Sequence, residues 1–140
     1  MATIAILGAT GQIGRSLTFD LLERSEFKLN LYARNVEGLS EFISNIKVEQ
    51  NRVQISPLVK FGDHDQDVIV NAIGAGSRAR QLALGAEIFT ISQHYDDLVT
   101  GYIRANPETL YFFLSSGAVY GFETPWPVNQ DGRFTYPVNG

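Results

Sequence analysis

Glycines recur at positions 8, 11 and 14 in the string GATGQIG, which follows a short apolar run from Thr3 and opens a stretch of helical spacing. In that setting Gly8 permits a sharp turn, Gly11 lets the backbone approach a pyrophosphate, and Gly14 lets a helix pack closely on the preceding strand. The free N–H groups at the helix start then face an anion, so a dinucleotide phosphate is the expected ligand, against the plainer reading of a structural turn. A second position bears on which dinucleotide. An acidic residue at the end of the second strand would accept hydrogen bonds from an adenosine ribose diol. The chain has LYARN there, with Arg34 in the deciding place. A guanidinium can grip a 2′-phosphate bidentately and stack on adenine, which predicts NADP in preference to NAD; the alternative is a surface arginine. The cluster GDHDQD offers Asp63, His64 and Asp65 as metal ligands on paper. Without a fourth convergent residue, a solvated polar loop is the better reading and no metal is expected. His94, beside Tyr95 in a helical stripe, reads as a packing or surface histidine rather than a base.

The glycine string, NAIGAG from Asn71 and SSGAVYG from Ser115 together resemble the extended branch of the short-chain dehydrogenase/reductase superfamily, the NAD(P)-dependent epimerases and dehydratases, from Ala2 to about Gly121. The resemblance implies that Gly8, Thr10, Gly11, Gln12, Ile13 and Gly14 line the cofactor phosphates. It implies that Asn71, Ala72, Ile73 and Gly74 run beside the adenosine and ribose, and that an Asp after strand three, here Asp63, touches adenine. It makes Ser116 the catalytic serine that polarises the reacting oxygen, with Ser115 beside it and Tyr120 a structural tyrosine. The family's proton transfer is carried by a Tyr and a Lys spaced Y-x-x-x-K on a later helix, where the lysine charge lowers the tyrosine pKa. The last lysine of this chain is Lys60, and Tyr136 is followed by PVNG. The chain is therefore expected to hold the cofactor without catalysing a reaction alone. It would be the nucleotide-binding part of an enzyme of reversible hydride transfer, with a small-molecule or nucleotide-linked sugar substrate in the intact protein. A non-catalytic NAD(P)-binding regulator is the alternative, and quinone or flavin reductases share the glycine loop.

The elements that must position these residues follow from composition and periodicity. The chain has 140 residues, enough for one domain with a core, and a net charge of −4 without any Lys/Arg run, which argues against nucleic acid as a partner. It has no cysteine, which excludes disulfides, thiolate zinc sites and a thiol nucleophile. No segment approaches the length of a membrane span and no basic region precedes the first apolar run, so no membrane partner and a cytoplasmic location are expected. Strands are predicted at TIAILGA, FKLNLYA, RVQIS, DVIVNAIG and LYFFLSS. Between them, Ile13, Leu17, Leu21 and Leu22 share one helical face, and Leu39, Phe42, Ile43 and Ile46 another, with Asn35 as N-cap. Leu84, Ile88, Ile91, Tyr95, Leu98 and Tyr102 form the longest stripe, bounded by Pro107.

Apolar strands alternating with helices imply an α/β class and a doubly wound parallel sheet of about five strands in order 3-2-1-4-5. With the resemblance this becomes a Rossmann fold lacking the C-terminal part of the family fold. It would occupy residues 1–121, followed by a Pro/Gly-rich tail from 122 to 140. Only three residues separate Asp63 from Asp67, too few for a helix between strands three and four. One sheet face should then rest mainly on a single helix. Apolar side chains of strands one, four and five, among them Ile4, Val68, Ile69, Tyr111 and Phe113, are expected to face water, and a homo-oligomer or the tail to cover them.

Overall fold

The computed structural model describes residues 1–74 and 78–114. Ser115, Ser116, Tyr120, the boundary at Gly121 and the tail from 122 to 140 lie outside the described residues. The element order is β1 (Thr3–Leu7), α1 (Gln12–Arg24), β2 (Lys28–Ala33), α2 (Val36–Ser44), β3 (Val53–Pro57), β4 (Val68–Asn71), α3 (Arg78–Leu84), α4 (Glu87–Ala105) and β5 (Leu110–Phe113). The five strands form one parallel sheet in the order β3-β2-β1-β4-β5, as the alternation of strands and helices predicted. Ile4, Ala5, Ile6 and Leu7 pair with Leu29 to Tyr32 on one side and with Val68 to Asn71 on the other. β1 is thus the central strand, buried on both faces, which is why its sequence is apolar throughout rather than alternating.

Alternate side chains divide into two cores. One face gathers Ile4, Ile6, Leu22, Leu29, Leu31, Leu39 and Val70 beneath α1 and α2. The other gathers Ala5, Leu7, Tyr32, Leu58 and Ile69 beneath Val99 of α4. Asn35 caps α2 as expected, its Oδ1 accepting from the Gly38 N–H at 3.0 Å. α1 approaches the sheet through Gly14, Thr18 and Leu22, its three buried residues. The contact stripe is centred there, which leaves Ile13 at its margin and exposed, contrary to the face assigned from periodicity. The long stripe beginning at Leu84 is split between α3 and α4 at Gly85, whose φ of +52° ends the first helix as a left-handed cap.

The connection from β3 to β4 has no α-helix, only a 3-10 turn at Leu58–Lys60. A polar hub holds it in place instead. Gln66 is buried; its Oε1 accepts from Asn30 Nδ2 at 2.9 Å and its Nε2 donates to the Tyr32 hydroxyl at 2.8 Å. Its backbone N–H donates to the Tyr102 hydroxyl and its carbonyl accepts from Thr109 Oγ1, both at 2.8 Å. The Phe61 ring packs between Tyr32 and Tyr102, with centroids 5.4 and 5.5 Å away. The connector therefore contributes Leu58 and Phe61 to the second core, and this face does not rest on α4 alone.

That packing corrects part of the exposure expected from sequence. Ile4 and Ile69 are buried, because α1 and α2 cover the first and the connector with α4 covers the second. Val68 and Tyr111 are half-buried. Exposure concentrates on β5, where Leu110, Phe112 and Phe113 are more than half open to solvent at 60%, 54% and 57%. Among the described residues no helix is long and apolar enough to cross a membrane.

Candidate functional site

The strand order reverses between β1 and β4, and a cleft opens there beyond the C-terminal ends of the strands, the place where open α/β sheets bind ligands. Its walls come from the residues that follow each strand. Gly8, Thr10 and Gly11 follow β1, Arg34 follows β2, Leu58 follows β3, and Ala72, Ile73 and Gly74 follow β4. Ile88, Ile91, Ser92 and Tyr95 of α4 close the opposite side around a volume of about 150 Å³.

The glycine loop is held from below. The N–H groups of Gly8 and Ala9 both donate to the Tyr32 carbonyl, at 3.0 and 3.2 Å, so the turn is tied to the end of β2. Gly8 has φ +78°, and a Cβ there would lie 2.9 Å from the Ala72–Ile73 peptide. Gly14 is needed for packing, since its Cβ would fall 2.4 Å from the Gly8 carbonyl oxygen. Gly11 differs from both. Its backbone is extended, with φ −70° and ψ 165°, and a Cβ would meet nothing nearer than the Gly8 carbonyl oxygen at 3.4 Å. Neither conformation nor packing asks for glycine at this position, yet it lines the cleft. Gly11 is also the N-cap of α1, which has no side-chain cap and no acidic residue in its first turn. The first N–H groups of a helix lack intrahelical partners, and the dipole there is positive. Gln12, Ile13 and Gly14 supply those groups; they open the helix rather than wall the cleft. The residues present fit an anionic dinucleotide: a turn fixed by Tyr32, an uncapped helix start, and a glycine whose missing side chain leaves space on the ligand side.

Arg34 is exposed at the rim of the same cleft, and among the described residues no carboxylate pairs with it. Asn71 does not line the cleft but is buried beneath it, with Oδ1 accepting from the Ile73 N–H at 3.1 Å. Its Nδ2 reaches the Tyr111 hydroxyl at 3.2 Å and Asp96 Oδ1 at 3.5 Å. Burial pushes the Tyr111 phenol above the usual tyrosine value; the Asn71 hydrogen bond opposes this and the Asp96 charge adds to it. Asp63 is exposed and away from the cleft, because the shortened connector sets Leu58 at the wall and turns away under the Gln66 hub. His64 bonds Gln54 at 2.7 Å, and among the described residues no three His, Asp or Glu side chains come together as a metal site. His94 is exposed, edge-on to the Tyr95 ring. Ser116 lies outside the described residues. Ala33, Leu58, Leu84, Ile88, Ile91, Ser92 and Tyr95 were not marked as site residues by sequence reasoning. The stripe through Leu84, Ile88, Ile91 and Tyr95 signalled a buried helical face without telling a core from a cleft wall.

Comparison with known proteins agrees with this geometry. Residues 8–124 match the protein family described as NAD(P)H-binding. No curated protein sequence matches the chain. Among solved structures, the chain is similar to UDP-glucose 4-epimerase from Bifidobacterium longum, solved in complex with NAD+ and UDP, with a TM-score of 0.72 at 14% identity over 95% of this chain and 42% of that one. It is similar to a thiolation-reductase di-domain from an archaeal non-ribosomal peptide synthetase, at TM-score 0.64 and 13% identity, covering 88% of this chain and 30% of the other. An oxidoreductase from Lactococcus lactis gives TM-score 0.56 and 21% identity over 85% of this chain and 50% of its own. The chain thus spans half or less of the length of these three structures.

Proposed function

The chain belongs to the NAD(P)H-binding family, and from that premise we propose that it is the dinucleotide-binding part of an oxidoreductase or epimerase that works by reversible hydride transfer. The observation that carries this is Gly11: a glycine in ordinary extended backbone, where a Cβ would make no closer contact than 3.4 Å to the Gly8 carbonyl oxygen, beside an uncapped helix start. When bound, the nicotinamide would supply the hydride donor or acceptor. The chain's own part is to bind and orient. The N–H groups opening α1 face the pyrophosphate, and the Ala72–Gly74 turn and Leu58 flank the adenosine. Arg34 meets the 2′-phosphate, which makes NADP the preferred cofactor. Among the resembling enzymes the substrate class that fits best is a nucleotide-linked sugar, with Ser116 polarising the reacting oxygen. The sequence offers no Lys after Lys60 to complete a Tyr/Lys pair, so the chain alone binds without turnover.

Calorimetric titration of NADP and NAD against the chain tests this reading. Binding is expected for both, tighter for NADP. Failure to bind either would refute it.

A further inference from the structure

Beneath the cleft, Asn71, Tyr111 and Asp96 come from three different elements, β4, β5 and α4, and meet at one side-chain amide. An Asn amide can be turned over, exchanging its oxygen and nitrogen, and its neighbours decide which way it stands. Here the two Nδ2 protons face the Tyr111 hydroxyl at 3.2 Å and, by a longer contact, the Asp96 carboxylate at 3.5 Å. That leaves Oδ1 to accept from the Ile73 N–H at 3.1 Å. Turned over, the amide would set its N–H groups against the N–H of Ile73 and its oxygen against the carboxylate. The carboxylate accepts only, so it discriminates between the two orientations.

What the amide orients matters because of where the next peptide lies. The Ala72–Ile73 peptide packs on Gly8 so closely that a Cβ there would come within 2.9 Å of Ala72 C, Ala72 O and Ile73 N. Gly8, Ala72 and Ile73 all line the cleft. We propose that Tyr111 and Asp96 are positioning residues for the dinucleotide: they set the Asn71 amide, which fixes the Ala72–Ile73 peptide against Gly8 and so sets the spacing between the glycine loop and the opposing wall. Neither residue touches the ligand. The proposal rests on the dinucleotide reading given above.

The test is NADPH titration, followed by its fluorescence, of the unsubstituted chain and of Tyr111→Phe, Asp96→Leu and Asp96→Asn. Amide exchange at Ile73 is measured by NMR without ligand. Losing one hydrogen bond of this kind should weaken binding by about three- to tenfold in Tyr111→Phe and Asp96→Leu and speed Ile73 exchange. Asp96→Asn keeps an oxygen acceptor and should bind within about twofold of the unsubstituted chain. If Asp96→Leu does not fold, Tyr111→Phe carries the comparison. Folded variants that bind like the unsubstituted chain with unchanged Ile73 exchange overturn the proposal. So does a lowered melting temperature with an unchanged Kd, because that marks a structural role alone. If the unsubstituted chain binds no dinucleotide, the functional reading itself falls and takes this proposal with it.

Discussion

Replacing the three loop glycines one at a time should separate the residue the ligand needs from those the fold needs. At Gly11 the backbone is extended and the nearest heavy atom to an added Cβ is 3.4 Å away, so Gly11→Ala introduces no clash. Ala is a poorer N-cap than Gly by up to about 1 kcal/mol, and the stiffer unfolded chain returns about 0.4–1 kcal/mol. The net change in stability should stay within about 1 kcal/mol. Gly14→Ala carries the same added methyl into a site 2.4 Å from the Gly8 oxygen and 2.8 Å from Ala9 Cα. Backbone must move on both sides, an overpacking cost of about 1–3 kcal/mol or more. Gly8→Ala adds a left-handed φ, worth about 1–2 kcal/mol, to its contact with the Ala72–Ile73 peptide. For binding the order reverses. Gly11→Val puts a branched side chain where a pyrophosphate must approach, and the same overpacking range corresponds to about ten- to a hundredfold weaker binding. Urea unfolding followed by circular dichroism gives the stabilities, and calorimetric titration with NADPH gives the affinities. A folded Gly11→Val that binds as before, or a Gly14→Ala no less stable than Gly11→Ala, would refute the division of roles.

Arg34→Asp should reverse the cofactor preference, weakening NADP by about tenfold or more through like-charge repulsion while NAD holds or improves; equal affinities that the substitution leaves unchanged would remove Arg34 from the site. Gln66→Leu strips the connector of the side-chain partners of Asn30 and Tyr32 and should cost about 2–4 kcal/mol in urea unfolding, a cost below about 1 kcal/mol showing the hub to be dispensable. Tyr32 and Tyr111 both stand above the ordinary tyrosine value of 10.0, chiefly through burial, so the unfolded chain loses these protons first. Their contribution to stability is therefore present below about pH 10 and lost as pH rises through the folded values, and Tyr32→Phe should flatten the alkaline slope of a urea-midpoint series. Light scattering should find the chain self-associated through β5, with Phe112→Lys shifting it towards monomer; a monomer that binds no hydrophobic dye would show that the exposed strand needs no cover.

Strand order, the glycine turn, the Asn35 cap and the helix-free connector could all be read before the structure, because each is written in local spacing: a two- or 3.6-residue period, a glycine between elements, a count of residues too small for a helix. Where two elements meet, local spacing has no information. Ile13 fits the helical period yet falls outside the contact that Gly14 and Thr18 make. Ile88 and Ile91 fit it too, but they face a cleft. Ile4 and Ile69 lie on opposite faces of the sheet, and neither cover shows in local spacing: α1 and α2 bury Ile4, while Leu58 and Phe61 of the connector, with α4, bury Ile69. The partners of Asn71 on β5 and α4, 40 and 25 residues away, are invisible from its neighbours in sequence.

The Gln66 hub also sets an order of events. Its partners lie 36 and 34 residues before it at Asn30 and Tyr32, and 36 and 43 residues after it at Tyr102 and Thr109. Closing loops of that size costs entropy that must be spent before the bonds repay it. During synthesis from the N-terminus, Gln66 emerges with its earlier partners at hand and its later ones still unmade. The connector can therefore settle only once α4 and β5 have joined the sheet, so protection of the Gln66 amide marks the moment at which the two halves have become one body.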